Sequence, residues 1–346
     1  MKKLNRFIGM FLAAALLLTA FAGCAKPGEA QNPSSDAPQS PPAGQQTDAP
    51  PKTNYPEKAI QIIVPVKPGG GTDLSCRITL PYLEKELGQS LVVINVDGAG
   101  GSIGMTQVKD SDADGYTMLY HQSDVIANDI MGVVDYHWDE ALKVAGTVNQ
   151  INNMALLVAG DAPYNTLEEF IDYAKNQAAP LNLATEIGTD NQLFMMHFAD
   201  MAGIELNLVD LGGAANRVAA MKGKQIDLTC MPYFNVKDYV ETGDFKCIGI
   251  FAEERTPYFP DLPTMKEQGL DISYSKFHLF AFPAGTPDEI VQRFEEALKA
   301  VCENSEYQKE LSEKLAFDVM YQSSSNSISY MKEIENIYRP LAESLK

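Results

Sequence analysis

The chain is 346 residues long, 45% hydrophobic, and carries a formal charge of −19 from 46 acidic and 27 basic residues. That length holds two globular domains and a tail. No basic stripe is available to neutralise phosphates, which excludes nucleic acid as a partner, and the acidity reads as a soluble, self-repelling surface.

Residues 1–23 read as a signal peptide: Lys2, Lys3 and Arg6 precede an apolar stretch from Ile8 to Ala22, too short for a comfortable membrane span. The ending Phe21-Ala22-Gly23-Cys24 resembles a bacterial lipobox, with Phe where Leu is commoner. The resemblance implies cleavage before Cys24, a diacylglyceryl group on its thiol, and a protein anchored to the outside of the cell membrane as a lipoprotein. Residues 24–53, rich in Pro, Gln, Ser, Ala and Asp, bury too little to offset chain entropy and are expected to be a disordered tether.

The globular part opens on Ile62-Ile63-Val64, a β-branched run that reads as a buried strand and breaks into Gly69-Gly70-Gly71. Thr72 and Asp73 follow as helix-capping residues, with Leu74, Ile78, Leu83 and Leu87 roughly on one helical face. Strand, bare-backbone loop and helix start together make a seat for an anion. Pro81 is expected to kink or shorten the helix, and Gly88 to close it. A second strand, Leu91 to Val96, enters another glycine turn at Gly98-Ala99-Gly100-Gly101, and a third runs from Tyr116 to His121. Strands are expected at Met154 to Ala159, Leu181 to Thr185, Glu205 to Val209, Gln225 to Met231 and Lys246 to Phe251. Thr166-Leu167-Glu168-Glu169 reads as a capping box. Helices close the chain at Pro287–Glu303, Glu306–Leu315 and Ser325–Leu345. The alternation predicts an α/β fold with parallel sheets.

Neither glycine turn is a nucleotide loop: no Gly-Lys-Ser/Thr follows the first, and Ile103 stands where a dinucleotide fingerprint needs its third glycine. Two such turns at strand ends nevertheless point to a shared crevice. His121, His137, His197 and His278 lack metal or triad spacing, so structural or surface roles are expected. No nucleophile elbow or HExxH helix is present, and no catalytic residues, metal or cofactor are expected. Phe194, Met195, Met196 and Phe198 read as core; Tyr136 and Trp138 read as packed under a loop. Cys76, Cys230, Cys247 and Cys302 are expected to be buried free thiols, with a Cys230–Cys247 bridge left open.

The blocks YPEKAI and VPVKPGGGTD, GQSLVVINVDGAGGSIG, DADGYTMLY, APYNTLEEFIDYAK, MKGKQIDL, ERTPYFPDLPTMKEQGL and FPAGTPDEIVQRFEEAL, in that order, resemble the substrate-binding proteins of tripartite tricarboxylate transporters, the TctC-like or Bug family. The likeness runs from about Tyr55 to the C-terminus. It implies a two-lobed, type II periplasmic-binding-protein fold with the ligand cleft between lobes. Residues 54–155 plus 277–346 would form one lobe and 156–276 the other, hinged on two crossing strands. It also implies a small carboxylate or amino-acid ligand and membrane permease subunits as partners of a monomeric receptor. A sensor presenting the solute to a membrane signalling protein is the alternative.

Carried over by position, Gly69, Gly70, Gly71, Thr72 and Asp73 form the first-lobe side of the site, with Ser123 after the third strand. Thr185, Gly188 and Thr189 form the second-lobe side. The chain departs from the family pattern in a shorter loop at Glu186, in Asp210-Leu211 where Tyr-Lys is frequent, in Phe277 where tryptophan is frequent, and in Lys67 where small residues are usual. If Asp210 and Glu186 face the cleft, they repel a second carboxylate and favour a ligand with a cationic or polar far end, such as an amino acid; otherwise both point to solvent. Lys67 would attract a carboxylate.

Overall fold

In the computed structural model, which describes residues 54–344, Ile60–Val64 forms strand β1, with Ile62, Ile63 and Val64 wholly buried. Burial on both faces is what an unbroken β-branched run predicts for the middle of a parallel sheet. Its neighbours are β2 (Leu91–Asn95) and β3 (Thr117–Gln122), both parallel, so that Ile62 faces Val93 on one side and Met118 on the other. Helix α1 (Gly71–Leu87) links β1 to β2, and α2 (Ser102–Lys109) links β2 to β3. After α3 (Asp124–Ile130) and α4 (Trp138–Ala141), the long strand β4 (Leu142–Ile151) joins this sheet and carries the chain toward the second.

The second sheet starts with β5 (Met154–Ala159), followed by α5 (Leu167–Lys175), β6 (Leu181–Thr185), α6 (Asp190–Ala202), β7 (Leu206–Asp210) and α7 (Ala214–Lys222). It ends with β8 (Leu228–Pro232), α8 (Lys237–Glu241) and β9 (Phe245–Ile250). The chain then returns through β10 (Lys276–Pro283), α9 (Asp288–Glu303), α10 (Ser305–Leu315), β11 (Asp318–Ser323) and α11 (Ser324–Ser344).

The sheet orders are β11-β4-β10-β3-β1-β2 and β7-β6-β8-β5-β9. One plan serves both: β1 pairs in parallel with β2 and β3, as β6 does with β7 and β8. An antiparallel crossing strand then follows, β10 in one sheet and β5 in the other. This is the two-lobed α/β fold that the family likeness implied. The crossings lie side by side, Phe251 N–H donating to Met154 C=O at 2.8 Å and Tyr274 N–H to Phe251 C=O at 2.9 Å. Helix α11 packs against both α3 and α6, so a first-sheet element also touches the second layer.

Local expectations fare unevenly. Thr166 Oγ1 accepts the N–H of Glu169 at 3.2 Å, and Gly88 and Gly203 close their helices in the left-handed conformation. Pro81 does not break α1; it sits on an exposed stretch while Leu80 and Leu83 pack inward. The four cysteines are free, and β5 lies between β8 and β9, keeping Cys230 from Cys247. Phe194, Met195, Phe198 and Trp138 are buried, and Trp138 Nε1 donates to Glu335 at 3.0 Å. The signal peptide, Cys24 and the tether lie outside the described residues.

Candidate functional site

The first glycine turn leads from β1 into α1, whose N-cap is Gly70 and which has no side-chain cap. The first turn of an α-helix has main-chain N–H groups without intrahelical partners, so this end carries unmatched donors and the positive pole of the dipole. Asp73 does not project into the opening. Its Oδ2 accepts the N–H of Gly69 at 2.8 Å, Arg77 Nε donates to both oxygens at 3.1 and 3.0 Å, and Asn95 Nδ2 donates to Oδ1 at 2.9 Å. Burial alone would raise its pKa, but these bonds hold the carboxyl below its usual range. Asp73 is thus a staple that shapes the turn. Thr72 Oγ1 accepts from Gln122 Nε2 and sits 3.3 Å from His278 Nε2. Lys67 points outward, 3.7 Å from Asp97.

At the second turn, Gly100 and Gly101 adopt φ of +62° and +91°. A Cβ on Gly100 would lie 3.4 Å from the carbonyl oxygen of Gly188 in the second lobe's loop. Asn128 Nδ2 joins the lobes there, donating to Gly100 O at 3.2 Å and Gly188 O at 2.8 Å.

A buried charge cluster closes the same seam. Lys276 Nζ lies 3.2 Å from Asp124 Oδ2 and 2.7 Å from Asp190 Oδ1, Ser123 Oγ donates to Asp190, and Asp124 Oδ1 accepts the N–H of Asp190 at 3.0 Å. Burial, reinforced by the Asp124 charge, pushes the Asp190 carboxyl up to about 6. Burial alone would lower the Lys276 pKa, but its two carboxylates hold it above the usual lysine range. Burial and the Lys276 charge push His121 and His278 down to about 3, so both are neutral.

On the second lobe, Thr189 Oγ1 donates to Glu186 C=O at 2.7 Å and the N–H of Gly188 to Gln192 Oε1 at 2.9 Å. Both groups are engaged within their own loop. Thr185 Oγ1, wholly buried, has no partner. Asp210 is exposed and accepts from the N–H of Ile187 at 3.4 Å and of Gly212 at 3.2 Å, tying two loops together. Sequence reasoning missed Asn128, Asp124, Asp190, Lys276 and Arg217. Arg217, on α7 and 8% exposed, reaches the middle of β8, where Nη1 donates to Cys230 C=O at 3.0 Å. An arginine three residues into a helix carries no local signal that it is buried; only its packing against β8 supplies that.

A crevice of about 710 Å³ opens beside the crossings, lined among others by Ser123, Asp190, Phe194, Tyr274 and Tyr338 but by none of the glycine-turn residues. It shares the Ser123–Asp190 contact with the seam and already holds the carboxylates of Asp190, Glu253, Glu254, Asp271 and Asp318, so the turn at α1 is the better anion seat.

Two lobes of one plan, facing each other across glycine turns and joined by paired crossings, make this a two-lobed solute-binding protein. The structure of the periplasmic binding protein BugD matches with a TM-score of 0.75 at 27% identity, over 84% of this chain and 98% of that one. MatC from Rhodopseudomonas palustris, with bound malate, matches with a TM-score of 0.75 at 23% identity, over 83% and 100%. Residues 76–345 match the model of the tripartite tricarboxylate transporter family receptor. Protein BugT of Bordetella pertussis is 30% identical over 262 residues, 72% of this chain and 79% of that one. The chain belongs to the tripartite tricarboxylate transporter receptor family.

Proposed function

We propose that the protein captures a small organic acid, a carboxylate or an amino acid, and hands it to the permease subunits of a tripartite tricarboxylate-type transporter. It does so as a non-catalytic monomer held outside the membrane by a lipid on Cys24. One observation carries the ligand class: helix α1 presents an N-terminus without a side-chain cap just after the end of strand β1. Gly70, Gly71 and Thr72 offer the main-chain donors, Gly69 shapes the turn through its N–H bond to Asp73, and Thr185 offers a free hydroxyl. Asp73, Ser123, Gly188, Thr189 and Asp210 hold the loops that frame the opening. The lobes divide near residues 155 and 276. Malate on MatC supports a carboxylate ligand.

The N-terminal N–H groups form charge-assisted hydrogen bonds to the bound carboxylate, and closure excludes water from them. Residues Pro50–Lys346 form one compact unit, which suits a binding assay. Succinate, malate, citrate, aspartate and glutamate are each added in excess while thermal unfolding is followed. One or more should raise the midpoint by several degrees, since a ligand selective for the native state stabilises it. No shift with any of the five defeats the reading.

A further inference from the structure

The least satisfied charge at the seam is Arg217. Its Nη1 bonds to the Cys230 carbonyl, while its Nε is buried and has no partner. The carboxylates that act on it electrostatically include Glu186 and Asp124. Asp124 is already committed to Lys276 and to the N–H of Asp190, and Asp190 to Lys276 and Ser123. A buried guanidinium with five donors and one carbonyl partner is poorly compensated.

Two more unsatisfied groups converge on the same place. Asn191 Nδ2 donates to the same Cys230 carbonyl at 2.9 Å, and its Oδ1 is buried without a partner. The parallel register of β6 with β8, Ala184 opposite Thr229, sets Thr185 and its unpartnered hydroxyl alongside Cys230. Three polar side chains from α6, α7 and β6, each more than nine-tenths buried, therefore gather around Cys230, leaving the Arg217 Nε–H and the Thr185 hydroxyl as unused donors and Asn191 Oδ1 as an unused acceptor.

We propose that Arg217 is a ligand-binding residue that receives a second carboxylate of the solute, with the Thr185 hydroxyl completing its contacts. The first carboxylate sits at the N-terminus of α1. This rests on the carboxylate-receptor reading and adds to it that the solute is a dicarboxylate. It also reverses the sign expected of the second-lobe wall: Asp210 is turned outward, and the buried ionisable side chain on α7 is cationic. A guanidinium suits the role because its planar fork matches a carboxylate in two bonds.

The test pairs a protein change with a ligand change. Calorimetry on the Pro50–Lys346 unit measures binding of succinate, malate, glutarate and adipate, and then of the monomethyl ester of the tightest binder. Arg217→Gln should weaken the dicarboxylate at least thirtyfold yet weaken the monoester less than threefold, because the ester has already lost the group Arg217 holds. Arg217→Lys should fall between wild type and Arg217→Gln, and serves alone if Arg217→Gln does not fold. Equal losses for diacid and ester, or unchanged diacid affinity, overturn the role of Arg217 while leaving the receptor reading in place. If wild type binds none of the four diacids, the dicarboxylate assignment falls. If the amino acids and citrate also fail, the receptor reading falls with it.

Discussion

Asp124 of the first lobe caps a helix of the second: its Oδ1 accepts the N–H of Asp190 at 3.0 Å, while Lys276 bridges the two side chains. Helix N-termini attract anions, and here the protein's own carboxylate occupies the end of α6. At α1 the carboxylate of the first turn, Asp73, is taken by the Gly69 N–H, Arg77 and Asn95, and none of its bonds goes to a helix N–H. The N-termini of α6 and α1 are thus unequal, one spent on holding the lobes together and one left for a ligand.

Removing that carboxylate should loosen the seam. Asp124→Ala leaves the N–H of Asp190 uncapped and Lys276 with one partner. Breaking a buried charge pair from one side costs about 3 kcal/mol. Urea denaturation should show a loss of that size, and X-ray scattering of the unliganded protein an increased radius of gyration. A loss under about 0.5 kcal/mol with unchanged dimensions contradicts the latch.

Asp190 should make stability depend on pH in an unusual direction for a carboxylate. Its native pKa is raised to about 6 by burial and by Asp124, so between its unfolded value near 4 and 6 the native state binds the proton more tightly. This contribution is fully present below about pH 4 and is lost as pH rises through 6, amounting to about 3 kcal/mol at most. Asp190→Asn removes it. Because contributions from His121 and His278 occur in both proteins, the stability difference, wild type minus variant, isolates Asp190. It should fall from pH 4 to 6 and then level off; a flat difference rejects the assignment.

The parts legible in sequence were those set by local rules. The β1 run, the Thr166–Glu169 box and the glycine closures at Gly88 and Gly203 depend on neighbours within a few residues, and they stand where the pattern put them. Strand β11, half-buried throughout and rich in polar residues, gave no such pattern, nor did α3, whose residues are all buried, charged ones included. The site divides in the same way. The turn at Gly69–Gly71 was visible because glycines before a helix start are a local signal. Lys276 and Arg217 were not, because a cation reads as surface until tertiary contacts bury it. Asp73 and Asp210 were placed at the site by position in the chain, yet the Asp73 carboxylate turns back to its own turn and that of Asp210 ties two neighbouring loops together.

The glycine turn itself admits a clean separation of folding from binding. Gly70 has φ −77° and ψ 166°, which any residue adopts, and a Cβ there would meet nothing closer than Lys67 O at 3.7 Å. Gly70→Ala should therefore melt within about 2 °C of wild type, as expected for a change below ~0.5 kcal/mol. The added methyl stands beside the donors of α1 and should weaken the best-binding carboxylate about tenfold or more. Undiminished affinity would move the anion seat away from this turn.

His121 supplies the converse pH dependence. Both ring nitrogens are buried without partners, and a Cβ on Gly101 would clash with its Nε2, so the ring is closely enclosed. Its pKa is depressed to about 3, chiefly by burial and then by Lys276. The unfolded chain takes up the proton near pH 6.5, so the stability of the neutral form is present above that and lost as pH falls toward 3. A leucine of similar size removes both the titration and two unsatisfied nitrogens. His121→Leu should equal or exceed wild type at pH 7 and gain on it steadily down to about pH 4.5, in melting curves taken across that range. A loss above about 1 kcal/mol at pH 7 would mean that a ring nitrogen makes a hydrogen bond in solution, and a gap that stays constant with pH would mean that His121 does not titrate with unfolding.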